Sequence, residues 1–270
     1  YYRALQQIDK APVRFLWFPG QPHGPQKITH RLRKMKEELR WFDTYLWKTY
    51  SPENEAFKKE SPLAEFLQKQ KAPQQNGQYG LILKGKLIPE VLPIKEDSTF
   101  IGRFEVTNAQ YHAFKTSHAF SPVDANLPAT GISRDDAISY TKWLSSLTGE
   151  AYRLPNKTEA ESLQKVSRKA AASENVLNYW AGYELSELDI QDFRKKLDEV
   201  QRSLLMNVGS FKGTKIGEAV VYDLGGNAAE YFTGNNGKEF YGYSAISYVD
   251  DFAEAEKPTA AYIGFRVIKD

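Results

Sequence analysis

From residue 78 onward, every run that reads as a strand is short: "YGLILKG", "FIGRFEV", "AVVYDL" and "YIGFRVI". Helical patterns are few, at 108–116, 134–147 and 158–169. The remainder is left to loops. Ser133, with Asp135 and Asp136 behind it, supplies a cap and an acidic first turn for the second helix, and Gly149 stops it. A charged stretch at 186–204 carries Ile190, Phe193, Leu197, Val200 and Leu204 at helical spacing. That stripe predicts a surface helix packed on the core.

The first 50 residues have a different grain. Positions 13–18 are apolar apart from Arg14, as in a strand buried on both faces of a parallel sheet. The turn-rich "PGQPHGPQ" follows. Ile28, Leu32, Met35, Leu39, Phe42 and Leu46 then recur at steps of three or four, which predicts a helix with one buried face. A strand followed by an amphipathic helix is the repeating unit of an α/β fold. One unit cannot cover a sheet, so it needs partners outside this sequence. The opening "YYRALQQ" puts Tyr2, Leu5 and Gln6 at helical spacing, without an initiator Met or an N-cap. That predicts a fragment or a processed product, with any targeting segment upstream. Residues 51–77 are polar and punctuated by Pro and Gly, a linker whose Leu63, Phe66 and Leu67 form the one cluster able to dock.

Bulk properties exclude more than they select. The chain of 270 residues is 41% hydrophobic and 26% charged, which is ordinary for a soluble globular protein. A net charge of +2 lacks the basic bias of a nucleic-acid surface. No apolar run is long enough to span a membrane. The absence of cysteine rules out disulfides, thiolate metal sites and thiol nucleophiles within these residues. His23, one of four histidines, stands in a stiff loop past an apolar run, where a catalytic base can stand. The alternative is a loop histidine with no chemistry.

The segments "YYRAL", "PVRFLWFPGQPHG" and "HRLRKMKEELRWFDTYL" resemble the C-terminal end of the catalytic domain of the prolyl oligopeptidase family of serine peptidases. That family ends a strand in P-G-x-x-H-G and carries W-F-x-x-Y-L on its last helix. The resemblance implies that His23 is the triad histidine, general base toward a serine and then general acid toward the leaving amine. In α/β-hydrolases the chain order is serine, acid, histidine. The serine and aspartate are therefore expected upstream of Tyr1, and no G-x-S-x-G occurs here. A base without its nucleophile makes no acyl-transfer site, so this chain alone is expected to be inactive as a peptidase.

Residues 79–268 resemble the formylglycine-generating (sulfatase-modifying factor) family through six markers in order: "FIGRFEVTNAQYHAF", "GISRDDAISYTKWLSSLTGEAYRLP", "TEAES", "VGSF", "VYDLGGNAAEYF" and "GFRV". The resemblance implies an α+β fold, irregular and related to C-type lectins, with short strands and long loops. Aerobic members of the family oxidise a substrate cysteine with two cysteines that bind copper, a soft metal that prefers thiolate. Without any cysteine this chain cannot assemble that site. Iron-dependent relatives take histidines from an extra helical domain that is absent here. His112 and His118 sit six residues apart and are expected to be ordinary surface residues that share no helix face.

One family feature carries over. "DLGGNAAE" fits the family's calcium loop N-x-x-G-x-A-x-E. The resemblance implies calcium on Asp223 and Glu230 and on the carbonyls of Gly226 and Ala228, an oxygen-only set that suits the ion. The alternative is a Gly-rich turn capped by Asp223. A second calcium site is implied at Asn175 and Val176, with downstream ligands that cannot be aligned through the 184–206 insertion. The family's R-L-P-T-E-A-E-W-E reads "RLPNKTEAES", with Asn156 and Lys157 inserted and Ser162 at the tryptophan position. Arg153 and Glu159 are expected to form a structural ion pair.

The expected organisation is therefore an α/β-hydrolase end at 1–50, a linker at 51–78 and a formylglycine-generating-type domain at 79–270. The second domain is expected to be a binding or structural module. Its partners would be the upstream hydrolase portion and a peptide, protein or glycan ligand, in the periplasm or outside the cell. The rival reading is an enzyme with thiol-independent chemistry, using loops around Asn235, Asn236, Asp250, Asp251 and Glu254.

Overall fold

A computed structural model describes residues 12–18, 24–49, 62–63, 79–95, 99–182, 185, 187–200, 202–234, 239–249 and 258–270. The chain divides into two units, Tyr1–Pro52 and Glu53–Asp270.

In the first unit the periodicity of residues 28–46 produces helix α1 (Ile28–Phe42), which runs on as a π-helical turn, Asp43–Trp47. Its apolar stripe faces solvent: Ile28 is 82% exposed, Met35 52% and Leu46 65%. The buried positions are His30 and Glu37. Glu37 takes ion pairs from Arg14 at 2.9 Å and Arg33 at 2.7 Å, and His30 stacks on Phe18. The expected buried face is thus open, and residues 13–18 form no strand. Periodicity decides which side of a helix is apolar. Covering that side takes a sheet, and a strand needs a partner to complete its ladder. Residues 1–11, the loop position His23, and Phe66 and Leu67 lie outside the described residues.

The second unit opens with the hairpin β1 (Leu81–Leu83) and β2 (Lys86–Ile88). Its two turn residues, Lys84 and Gly85, both have positive φ, as a tight hairpin turn requires. Strands β3 (Val91–Lys95) and β4 (Thr99–Gly102) pair antiparallel. Then come α2 (Asn108–Phe114), α3 (Arg134–Thr148), β5 (Tyr152–Arg153), α4 (Lys157–Ala170), α5 (Leu177–Ala181) and α6 (Glu187–Val200). Short strands finish the chain: β6 (Thr214–Ile216), β7 (Ala219–Val221), β8 (Ala229–Tyr231), β9 (Phe240–Tyr241), β10 (Ile263–Gly264) and β11 (Ile268–Lys269). The last strand, β11, inserts between β4 and β5 in the sheet β3-β4-β11-β5. A second sheet has the order β10-β8-β9, with β8 and β10 parallel.

Helices α2, α3 and α4 each begin where a side chain satisfies a free N–H group of the first turn. Thr107 and Gln110 form a capping box on α2, and Ser133 caps α3 at the Asp136 N–H. The inserted Asn156 is the cap of α4, boxed reciprocally with Glu159. Gly149 ends α3 in the left-handed conformation at φ 85°. The largest core packs Tyr111, Tyr140, Leu144, Phe265 and Val267 between helices and sheet. A second core collects Trp180, Phe193, Leu197 and Leu204, and Leu63 enters it fully buried. The linker therefore contributes a side chain to the second unit.

Candidate functional site

The loop between β7 and β8 is the most polar part of the interior. Asp223 and Asn227 both take left-handed backbone, at φ 60° and 68°, which their short polar side chains tolerate better than most. Gly226 lies so close to the 174–176 turn that a Cβ would sit 2.4 Å from the Asn175 carbonyl oxygen. The Asn227 N–H donates to that carbonyl at 2.8 Å. The two segments expected to bind calcium separately are thus packed together.

Asn227 organises the junction. Its Nδ2 donates to Glu105 Oε2 at 2.7 Å, and its Oδ1 accepts from Met206 N and Asn175 Nδ2, each at 2.9 Å. The second Glu105 oxygen accepts from Ala228 N at 2.8 Å. Asn175 is also fully engaged: its Oδ1 accepts from Trp180 Nε1 at 2.6 Å and its Nδ2 donates to Leu204 O at 2.9 Å. Val176 is buried at the start of α5 and offers no charge.

Glu230 is held by the Arg266 guanidinium, at 2.8 Å from Nη2 and 3.0 Å from Nε, and by the Tyr241 hydroxyl. Arg266 is fully buried and also donates to the carbonyls of Gly102 and Tyr222, each at 2.7 Å. Through these bonds Arg266 links β4 and β8 to the loop after β7. Asp223 Oδ2 accepts from Gly209 N at 2.6 Å, while its Oδ1 is buried without a partner. Glu174 is fully buried, and neither carboxyl oxygen completes a hydrogen bond, although the nearby Gly225 N–H slightly lowers its pKa. Burial, then the charge of Asp223, pushes Glu174 up to about 8. Burial also pushes Asp223 up to about 7, against the Gly209 hydrogen bond. Burial raises Glu105 well above the usual carboxylate range.

Among the described residues, no group of three His, Asp or Glu side chains is arranged to share a metal ion. Of the expected calcium ligands, Asp223 keeps a spare charged oxygen and Glu230 does not. Gly226 and Ala228 supply backbone only, and Asn175 has spent its side chain. Sequence reading missed Glu105, Glu174, Asn227 and the central role of Arg266. Glu174 is adjacent to Asn175 in sequence, but only the fold turns it toward Asp223.

Other expected residues fall elsewhere. Arg153 grips Glu159 at 2.6 and 2.8 Å and Asp270 at 2.6 and 2.8 Å, tying α4 and the chain end to β5. His112 and His118 are partly buried rather than plain surface residues. His112 Nδ1 meets the His118 carbonyl and His118 Nε2 meets Asn108 Oδ1, each at 2.9 Å. Helix α2 stops at Phe114, so the chain folds back and helix-face spacing does not apply to the pair. Ser162 lines an apolar cleft of about 240 Å³ with Leu163, Val166 and Ile268. Asn235, Asn236, Asp250, Asp251 and Glu254 lie outside the described residues.

Short strands bound by long loops, closed by a buried Glu–Arg pair from the "GFRV" end, define an α+β scaffold of the formylglycine-generating type. Residues 91–270 match the sulfatase-modifying factor enzyme 1-like domain, and the chain belongs to that family. Among solved structures it is similar to CarF, at 17% identity over 68% of this chain and 94% of that one, with a TM-score of 0.42. It is also similar to PvdO from Pseudomonas aeruginosa, at 19% identity over 64% and 80%, with a TM-score of 0.38. Treponema denticola variable protein 1 is 16% identical over 63% and 84%, with a TM-score of 0.35. No curated protein matches.

Proposed function

We propose that residues 79–270 are a binding or structural module that keeps the family scaffold without the family's thiol oxidation. The observation that carries this is the absence of any cysteine from a chain that belongs to the family. Copper(I) has no thiolate to bind here. The test is incubation with copper, oxygen and a cysteine-containing peptide, followed by mass spectrometry. Unchanged peptide is expected, and conversion of its thiol to an aldehyde overturns the reading.

The same reading takes residues 1–50 as the end of a prolyl oligopeptidase-type catalytic domain, with His23 as its base. The open apolar stripe of α1 supports it, because such a face suits a sheet supplied by an upstream hydrolase portion. This chain alone is then inactive on chromogenic prolyl substrates. Robust turnover lost in His23→Ala would sink that claim. The protein belongs, on this reading, in the periplasm or outside the cell.

Calcium is part of the proposal at the Asp223 loop. Its support is the unpartnered, buried Asp223 Oδ1 near the buried Glu174, not Glu230, which Arg266 and Tyr241 occupy. A bound ion stabilises whatever fold holds it. The expected outcome is a higher unfolding midpoint in calcium than in chelator. An unchanged midpoint removes calcium from the reading.

A further inference from the structure

Helix α4 lines a cleft of about 240 Å³ with Thr158, Ser162 and Val166, a row at four-residue spacing, and with Leu163 beside them. Ile94, Ile216 and Ile268 line it from β3, β6 and β11. Leu163 and Ile268 belong to the third core, whereas Ile94, Val166 and Ile216 pack against it only partly buried. Ser162 is exposed.

We propose that this cleft binds an indole ring, carried by a small aromatic compound. The site uses no residue of the Asp223 loop.

The helix position is the first argument. The family motif R-L-P-T-E-A-E-W-E has tryptophan where this chain has Ser162. The large ring of the motif is missing, and the surface in front of that position has stayed apolar. A site for the ring therefore needs no new wall, only a ligand that brings the ring with it.

The walls are the second argument. Ile94 is the residue passed over where the β3–β4 register shifts between Pro93 and Lys95, and a bulge of this kind re-aims a side chain. A Cβ on Gly217 would sit 2.5 Å from the Ile94 carbonyl oxygen, so the β6–β7 turn lies tight against β3. The Ile94 and Ile216 walls are thus set before a ligand arrives, which lowers the ordering cost of binding.

Size and polarity are the third argument. An apolar cavity of about 150 Å³ holds benzene, so this larger cleft has room for a bicyclic ring. Thr99, Thr158 and Ser162 add hydroxyls of the kind that accept a ring N–H. Among the described lining residues Glu159 alone is charged, and Arg153 and the Asn156 N–H already hold it. That lining suits a neutral ring rather than an ion.

The test uses the full chain with indole and with hexan-1-ol, followed by methyl NMR, with calorimetry for affinity. Indole is expected to bind saturably in the millimolar range or tighter, with shifts concentrated on the methyl groups of Ile94, Leu163, Val166, Ile216 and Ile268. Hexan-1-ol is expected to bind about tenfold more weakly, because its flexible chain has to be ordered. Ser162→Trp is expected to abolish indole binding without lowering the unfolding midpoint, because its own ring takes the site from an exposed position. No saturable shift at those methyl groups, equal binding of hexan-1-ol, or undiminished indole binding by folded Ser162→Trp overturns the proposal. Should that variant fail to fold, the two ligands on wild type still decide it. The thiol assay is read separately: peptide oxidation there defeats the binding-module reading, while the comparison of indole with hexan-1-ol alone decides what this cleft binds.

Discussion

Glu174 shows how much one side chain can impose on a fold. It is fully buried and its carboxyl oxygens complete no hydrogen bond. The group therefore prefers to be neutral, with a pKa of about 8 against 4.5 for the ordinary side chain. The sign of the effect follows from linkage. A raised folded pKa means full stability below the unfolded value and loss as pH rises through the folded one. The window is thus about 4.5 to 8. In chelator, wild type should lose stability across that window, by up to a few kcal/mol. Glu174→Gln should flatten the loss and raise the midpoint at pH 8. Urea unfolding at several pH values checks it; a Gln variant as pH-sensitive as wild type sinks the assignment. On the calcium proposal the comparison reverses in calcium, because an ion beside Asp223 needs the charge that Gln removes. At this scale the sequence was half legible. The motif pointed to Asp223 and Glu230, yet hydrogen-bond competition decides their roles. Arg266 and Tyr241 claim Glu230, and no spacing rule reports a claim made 36 residues away.

Elements were read more securely than side-chain partners, because caps and periodicity are local. The α3 boundaries follow from Ser133 and Gly149, and the insertion at Asn156 is a cap that extends α4 backward by one residue. Asn156→Ala removes the side-chain acceptor of the Glu159 N–H, held at 3.0 Å. It should cost about 1 kcal/mol, the usual worth of an N-cap, measurable by denaturant unfolding. A loss below a few tenths would mean that Glu159 alone holds the turn. The neighbouring Arg153 cluster has its own pH signature. Arg153 lowers the pKa of both Glu159 and Asp270, so its stabilising effect is present above the unfolded carboxylate values and fades as pH falls through the folded ones. That fading is opposite in sign to the Glu174 effect and lies on the acid side of it. Partial exposure of both carboxylates keeps it small. Helices α1 and α6 mark the limit of local reading. Both carry apolar stripes of the same period, but Phe193 is 2% exposed and Ile28 82%. Period fixes a face, and only long-range neighbours cover it.

The chain as a whole combines one unit with well-filled cores and one whose main apolar face is open. The two units divide between Pro52 and Glu53, well before the change of strand length at residue 78. Leu63, read from the sequence as part of a cluster able to dock, is sent by the 51–78 segment into the core against the α5 and α6 side chains. Leu63→Ala should destabilise the second unit by about 2–5 kcal/mol, the range for emptying a buried leucine site. A midpoint unchanged in that variant would mean that the linker only rests on the surface. The first unit yields the opposite expectation. Leu32, Met35, Leu39 and Phe42 are each more than two-fifths exposed on one helix face, an arrangement that single folded chains rarely present to water. Leu32→Glu with Leu39→Gln should therefore leave the second unit's unfolding midpoint unchanged and reduce self-association in sedimentation runs. A fallen midpoint would show that the stripe is covered in solution by the chain itself. On the proposed fusion reading, adding an upstream prolyl oligopeptidase-type portion should make the same double substitution destabilising. Once a sheet lies on α1, the two polar side chains are buried without partners and become costly. If the proposed fusion is right, the chain with that portion added loses stability on the change and the chain without it does not, a contrast that tests the fusion without any assay of peptidase activity.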